Sequence, residues 1–440
     1  MKQKILVLGA GRSSAVLIDE LKKSTDVWGF DLIVADQNYD LVLQKVGANT
    51  QNVKSLKIEG FSDIEKLICE NDIVFSLLPP TSHVDIAILC IKYKRHLITA
   101  SYATDEILNL HTDAQKAGVK IMMECGLDPG LDHMSALQMI DKLQNEGGEI
   151  LSFSSSCGGL MADETDHKNP WKYYITWNPK NVVLAGQGEP ARFKMNGKIQ
   201  EVHYDRLFSS VFPIKIGSTE YEMYPNRDSI KYQKLYGLDS VDTFIRGTIR
   251  KQGFCSAWDA LVKLGLTQTI ANSQGKTYKE HFLNILNYKE EEEFFEMILS
   301  EYGKDILQKI KWLDLFNDKE VEHSAITPAE LLQRVLEDKW KPNSEDKDLV
   351  VMKHEIVYKK DKILFKRDAD LVILGEKSPF TAMAKTVGLP MFYAFKMMLQ
   401  EQIHDFGVIL PTKKYIYEYI LAQLINNNIV FIDYEHTLQR

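Results

Sequence analysis

The fold is decided by residues 1–37, MKQKILVLGAGRSSAVLIDELKKSTDVWGFDLIVADQ. Residues 4–8 are a short apolar run without alternation, which suits a strand covered on both faces. Gly9-Ala10-Gly11 follows at once, and Ala15, Val16, Leu17 and Leu21 then fall at helical spacing. Gly9 permits a tight turn, and Gly11 lets backbone approach a pyrophosphate at the helix N-terminus. A second strand, residues 32–35, ends in Asp36. A carboxylate there accepts from both hydroxyls of an adenosine ribose and repels a 2′-phosphate, so the stretch predicts NAD in preference to NADP. The third glycine of G-x-G-x-x-G is absent, but Ser14 and Ala15 are small enough for close helix–strand packing. The competing reading is a doubly wound domain that binds no nucleotide.

Working outward, 440 residues exceed one ordinary core and predict two or three domains. A hydrophobic content of 45% and a charged content of 26% are those of a soluble globular chain. The net charge of −8 argues against nucleic acid or an anionic membrane as partner. No apolar run approaches the roughly 20 residues that span a bilayer. The chain enters its first strand almost immediately, so no secretory signal is expected. Cys69, Cys90, Cys125, Cys157 and Cys255 are scattered without a C-x-x-C, which suits a reducing, cytoplasmic setting and predicts neither a disulfide framework nor a metal site.

Strand–helix alternation continues after Asp36, with strands at 53–58, 73–78, 96–100 and 119–123 and helices at 62–71, 82–93 and 105–117. Ser62 with Glu65 reads as a capping box, and Pro79-Pro80 ends the fourth strand. Six strands complete a dinucleotide domain. The pattern changes near Glu124. A helix is expected at 132–143, and then strands such as 151–157, 172–177, 191–195 and 202–207. Residues 256–340 read as almost wholly helical, with Thr327-Pro328 opening the last helix. Two strands, 348–358 and 362–374, follow, and then helices at 390–401 and 415–426 and a strand at 430–432. The expected class is α/β. A Rossmann doubly wound parallel sheet (1–125 with 390–440) joins an α+β mixed-sheet substrate domain (126–255 with 345–389), into which a helical block (256–344) is inserted.

Three clusters beyond the glycine turn can carry chemistry. Ser101 and Tyr102 lie at the carboxyl end of the fifth strand, the edge where Rossmann ligands bind. Asp128 lies in the turn 126–130, where Pro129 holds it extended; a helix cap or Asx-turn is the plainer role for such a residue. Arg227, Arg246 and Arg250 stand beside Gly and Pro turns and suit a ligand with several carboxylates, although surface arginines are common. Cys157 precedes two glycines and reads either as a cleft residue or as a small buried one.

These clusters and two further stretches make up seven segments: TASY (99–102), GLDPGLDHM (126–134), CGGL (157–160), NPWKYYITWNP (169–179), YPNRDS (224–229), RGTIR (246–250) and FTAMAKTVGLP (380–390). Together they resemble the glutamate-forming saccharopine dehydrogenases, also called saccharopine reductases, and the matching domain of aminoadipic semialdehyde synthase. The resemblance runs over essentially the whole chain. It implies NAD(P)-linked oxidation of saccharopine to glutamate and 2-aminoadipate 6-semialdehyde, or the reverse; the expected hydride donor is the glutamate-side carbon. It further implies that Ser101, Tyr102, Asp128, Arg227, Thr248, Ile249 and Arg250 contact saccharopine. Tyr102, Asp128 and Cys157 would be the polar groups nearest the reacting carbon. Gly9, Gly11, Arg12, Ser13, Ser14, Asp36, Leu78 and Ala100 are the expected cofactor positions. The chain departs from the family where Ser156 replaces a frequent Tyr and where Met161-Ala162-Asp163-Glu164 replaces a Pro-Ala-Pro-Glu run. Fungal relatives tend to carry a basic residue near Asp36, which again points here to NAD. No side chain stands out as a lone general base. Other readings left open are a related dehydrogenase acting on a polyamine precursor and a non-catalytic nucleotide-binding protein. The sequence is compatible with a homodimer but sets no oligomeric state.

Overall fold

The computed structural model describes residues 2–165, 168–270, 273–322 and 326–438. The chain divides into two compact units, Met1–Gly148 with Ile373–Ile432, and Glu149–Val372 with Asp433–Arg440.

In the first unit, β1 (Gln3–Leu8), β2 (Phe30–Asp36), β3 (Val53–Lys57), β4 (Ile73–Ser76), β5 (His96–Thr99) and β6 (Lys120–Met122) form a parallel sheet in the order 3-2-1-4-5-6. Gly407–Ile409 adds a seventh strand beside β6, too short to announce itself by periodicity. Leu6, Leu8, Val74 and Leu97 are fully buried, as parallel strands covered on both faces require. The chain order reverses between β1 and β4, so a ligand crevice belongs at their carboxyl ends.

Several expected helices differ in their ends. The helix Phe61–Glu70 starts from Gly60 without a side-chain cap, because the carboxylate of Asp63 instead accepts from Glu59 N at 2.9 Å. The expected helix 105–117 breaks at Leu110 into Asp105–Asn109 and His111–Ala117. Pro390 does not open a helix. It lies inside Ala382–Leu399, whose real N-cap is Thr381, accepting from Ala384 N at 3.0 Å. A proline favours the first turn, but the cap residue is the stronger marker here. Gly388 sets this helix against the helix Ala15–Trp28: a Cβ on Gly388 would lie 2.7 Å from Leu17 N.

In the second unit, β7 (Glu149–Met161), β8 (Ala191–Met195), β9 (Lys198–Val202), β10 (Phe212–Ile216), β11 (Thr219–Pro225), β12 (Thr243–Lys251), β13 (Asp348–Lys360) and β14 (Ile363–Leu374) build a mixed sheet. β7 runs parallel to β12 and antiparallel to β13. The expected strand at 202–207 becomes the end of β9 and a short helix, Tyr204–Leu207. Residues 172–177 form no strand. Tyr173, Tyr174 and Ile175 are all buried, and their stretch bonds to Asn169 and Trp340 rather than to a ladder: Ile175 N meets Trp340 O at 3.0 Å. A run buried on every side lacks the alternation of a half-buried strand.

The helices of residues 254–339 pack with Trp171, Tyr173 and Tyr224 in one core, so this block belongs to the second unit. Thr327 caps the helix Pro328–Lys339 with Glu330 in a complete capping box. The last strand, Ile432–Leu438, joins β14 at the edge of the second sheet rather than returning to the first. Among the described residues no helix is long and apolar enough to cross a membrane, and all five cysteines are free.

Candidate active site

The glycine turn is shaped by close approach. Gly9 has φ +102°, and a Cβ there would meet the backbone of Leu77 at 3.0 Å. Its N–H donates to Ala35 O at 2.8 Å, fixing the turn on β2. Gly11 has no atom within 4 Å of its missing side chain, which leaves its backbone open above the helix start. That is the cradle a pyrophosphate needs. Ser14 is buried, with its hydroxyl donating to Gly11 O at 2.9 Å, which braces the turn. Arg12 is exposed and Ser13 half-buried, while Leu78 and Ala100 are half-buried just beyond β4 and β5.

Asp36 is already occupied. Its carboxylate accepts from Ala10 N at 2.6 Å and from Asn38 N at 2.8 Å. Beside it lies Lys45, a residue the sequence reading passed over. The Lys45 ammonium donates to the carbonyls of Ala10 and Gly11, the latter at 2.7 Å. Burial lowers its pKa to about 8, and Asp36 pulls in the opposite direction.

On the neighbouring strand ends, the Tyr102 hydroxyl donates to Asp128 Oδ1. The turn carrying Asp128 depends on two glycines. A Cβ on Gly126 would lie 2.8 Å from that of Ala100, and one on Gly130 only 2.2 Å from Gly126 O. The Asp128–Pro129 peptide bond is cis. Asp132 accepts from Gly130 N at 2.6 Å, a capping role, and His133 is fully buried.

Two further residues were missed because each is buried and lacks a local motif. Glu124, at φ +57°, accepts from Ala103 N at 2.9 Å, donates its own N–H to Ser101 O at 3.1 Å and pairs with His133 at 2.9 Å, thereby pinning the loop of Ser101 and Tyr102. His83 bridges Ser76 and Ser101, at 3.1 and 2.7 Å.

In the second unit, β12 alternates. Arg246, Thr248 and Arg250 share one face, and Ile249 points to the other, fully buried with Met223 and Val351. The Ile249 side chain is therefore a packing group, which leaves its backbone for any ligand contact. Cys157 is buried in β7, in register with Thr248 on β12 and Met352 on β13, so it lies in the same row as Thr248. The β7 strand continues through Met161, and Asp163 beyond it pairs with Lys251.

Arg250 is only 5% exposed. Its guanidinium donates to Ile249 O at 2.9 Å and to the Tyr224 hydroxyl at 3.3 Å. It lies 5.1–5.5 Å from the ring centroids of Tyr173, Tyr224 and Phe254. Among the described residues no carboxylate pairs with it, and its Nε has no hydrogen-bond partner. Arg227 is placed differently. It is exposed, at φ +43°, on the turn after β11. Arg246 is buried with its guanidinium 4.4 Å from the Tyr232 ring.

The saccharopine dehydrogenase NADP binding domain model matches residues 5–122, and the saccharopine dehydrogenase C-terminal domain model matches residues 126–429. The chain belongs to the saccharopine dehydrogenase family. Among its relatives is the saccharopine dehydrogenase [NADP(+), L-glutamate-forming] of Saccharomyces cerevisiae, 31% identical over 96% of this chain and 97% of that protein. The mitochondrial alpha-aminoadipic semialdehyde synthase of Rattus norvegicus is 34% identical over 98% of the chain. The chain spans about half (47%) of that relative's length. A solved apo saccharopine dehydrogenase (L-Glu forming) from S. cerevisiae superposes with a TM-score of 0.85 at 30% identity, covering 99% of this chain and all of that one. The homospermidine synthase of Legionella pneumophila, solved with NAD, shares the fold at a TM-score of 0.57 and 11% identity.

These findings overturn the preference for NAD over NADP. The fungal relatives are named as NADP(+) enzymes, and the matching N-terminal model is an NADP-binding domain. Discrimination by Asp36 requires a carboxylate free to meet the ribose. Here both its oxygens are engaged by backbone N–H groups, and the Lys45 cation lies beside it.

Proposed function

We propose that the protein catalyses the reversible reaction of saccharopine, NADP⁺ and water to L-glutamate, 2-aminoadipate 6-semialdehyde, NADPH and a proton. The observation that carries this reading is Arg250. A buried guanidinium with no carboxylate partner is costly unless a ligand supplies the anion. Saccharopine has three carboxylates, whereas a polyamine precursor has fewer.

Within the first unit, the open backbone at Gly11 fits a pyrophosphate, and Lys45 is the cation suited to the 2′-phosphate. Bound NADP would supply the hydride acceptor at its nicotinamide. The chain's own groups handle protons and position. The bridging ammonium of saccharopine must lose a proton before its neighbouring carbon can release hydride. Asp128 is the carboxylate placed to hold that nitrogen, and the hydrogen bond from Tyr102 fixes its orientation. Arg250 holds a substrate carboxylate in a bidentate grip. Cys157 contributes as a neighbour of Thr248 in the sheet, not as a nucleophile.

The product pair also corrects the expected hydride donor. Oxidation at the glutamate-side carbon would give 2-oxoglutarate and lysine. Formation of glutamate requires hydride to leave the terminal carbon of the six-carbon arm. Water then adds to the resulting imine, which breaks to aldehyde and glutamate amine. Saccharopine-dependent reduction of NADP⁺ tests the reading. The wild type should be active and Asp128→Asn about 10²-fold slower. Equal turnover and saccharopine affinity in Asp128→Asn would remove Asp128 from the site, and preferential use of a polyamine precursor would overturn the assignment.

A further inference from the structure

His83 lies in no motif that carries the family resemblance, yet it sits beneath the strand ends that bear Ser101 and Tyr102. It is 2% exposed. Its Nδ1 is 3.1 Å from Ser76 Oγ, and its Nε2 is 2.7 Å from Ser101 Oγ and 3.4 Å from Thr99 Oγ1. Burial alone lowers its pKa to about 4, so the ring is neutral, with one donor and one acceptor nitrogen.

A ring whose Nδ1–H donates to Ser76 Oγ has one lone pair to offer, on Nε2. Ser101 Oγ, at 2.7 Å, is the nearer of the two hydroxyls at Nε2, while Thr99 Oγ1 lies at 3.4 Å and accepts from Ser101 N at 3.2 Å. In this tautomer Ser101 gives its proton to Nε2 and keeps its lone pairs to accept, on a half-buried residue just beyond β5.

We propose that His83 is a positioning residue that locks Ser101 Oγ as a hydrogen-bond acceptor for an N–H donor of the ligand. Two ligand groups have that chemistry, an ammonium of the amino-acid substrate and the carboxamide of the nicotinamide. The proposal rests on the functional reading above, in which Ser101 faces the ligands.

The test is a double-mutant cycle on the full chain with His83→Phe, Ser101→Ala and the double variant, and with His83→Gln as the conservative replacement. For each, kcat/KM for saccharopine, the pH profile and the NADPH dissociation constant by fluorescence are measured. Each single change should lower kcat/KM about tenfold, and the double variant should be no worse than Ser101→Ala. His83→Gln, whose amide oxygen can accept in place of Nε2, should recover most of the loss with an unchanged pH profile above pH 6. A raised KM for saccharopine with unchanged NADPH affinity identifies the ammonium, and the converse identifies the carboxamide. If His83→Phe does not fold, His83→Ala with added imidazole replaces it, and imidazole should restore activity. Additive losses, wild-type kcat/KM in His83→Phe or His83→Ala, or loss of a pH limb in His83→Gln would overturn the positioning role while wild-type activity stands. A wild type inactive on saccharopine would overturn the functional reading and this proposal with it.

Discussion

At the scale of single residues, the balance between stability and binding is sharpest at Arg250. Its charge is buried against three rings and, among the described residues, no carboxylate. Arg250→Met keeps volume and removes the charge. It should raise KM for saccharopine about 10- to 100-fold through the loss of charge-assisted hydrogen bonds. The melting temperature should change little, since the thioether packs against the same three rings in place of the guanidinium. A lower melting temperature with unchanged KM would make Arg250 structural. The second case is pH. Burial holds His83 near 4, below its ordinary 6.5, and burial together with the Lys120 charge does the same for His96. Between about 4 and 6.5 the unfolded chain binds protons that the folded chain does not. Stability therefore rises with pH across that window and is lost as pH falls through it, by at most about 3 kcal/mol for His83. Urea denaturation at pH 5 and pH 7 should show this, and His83→Gln should reduce the difference. An undiminished difference in that variant would mean the imidazole is not buried neutral.

At the scale of elements, Gly388 separates propensity from packing. Alanine is the better helix former by about 1 kcal/mol. A Cβ there would lie 2.7 Å from Leu17 N, a backbone atom that cannot rotate away. Gly388→Ala should therefore destabilise the protein by roughly 1–3 kcal/mol in urea unfolding, and a gain in stability would contradict the close helix contact. The same contrast explains what the sequence could and could not reveal. β1 and β4 were legible because burial on both faces leaves nearly unbroken apolar runs. Gly407–Ile409 was not, because three residues carry no period and no strand–helix alternation leads into them. Residues 172–177 misled because aromatic runs fill a helical core as readily as a sheet. Tyr102 and Asp128 could be singled out from strand ends and turns. His83, Glu124 and Lys45 could not, since their partners lie 18, 9 and 34 residues away and no local pattern marks them. Asp36 was visible, but its engagement by Ala10 and Asn38 was not.

At the scale of the whole molecule, the first unit is assembled from two distant stretches, 1–148 and 373–432. The second stretch supplies the helix Ala382–Leu399 against Ala15–Trp28 and the strand beside β6. Residues 1–148 alone should fail to give a cooperative thermal transition, while 1–148 linked to 373–432 should fold and bind NADPH. A stable, NADPH-binding 1–148 fragment would show the returning stretch to be dispensable. In the proposed reaction hydride leaves the six-carbon arm of saccharopine. The most direct test is to incubate the protein with saccharopine and NADP⁺ and identify the amino acid released. The account predicts glutamate in equal amount to NADPH; lysine with 2-oxoglutarate, or no NADPH at all, would contradict it.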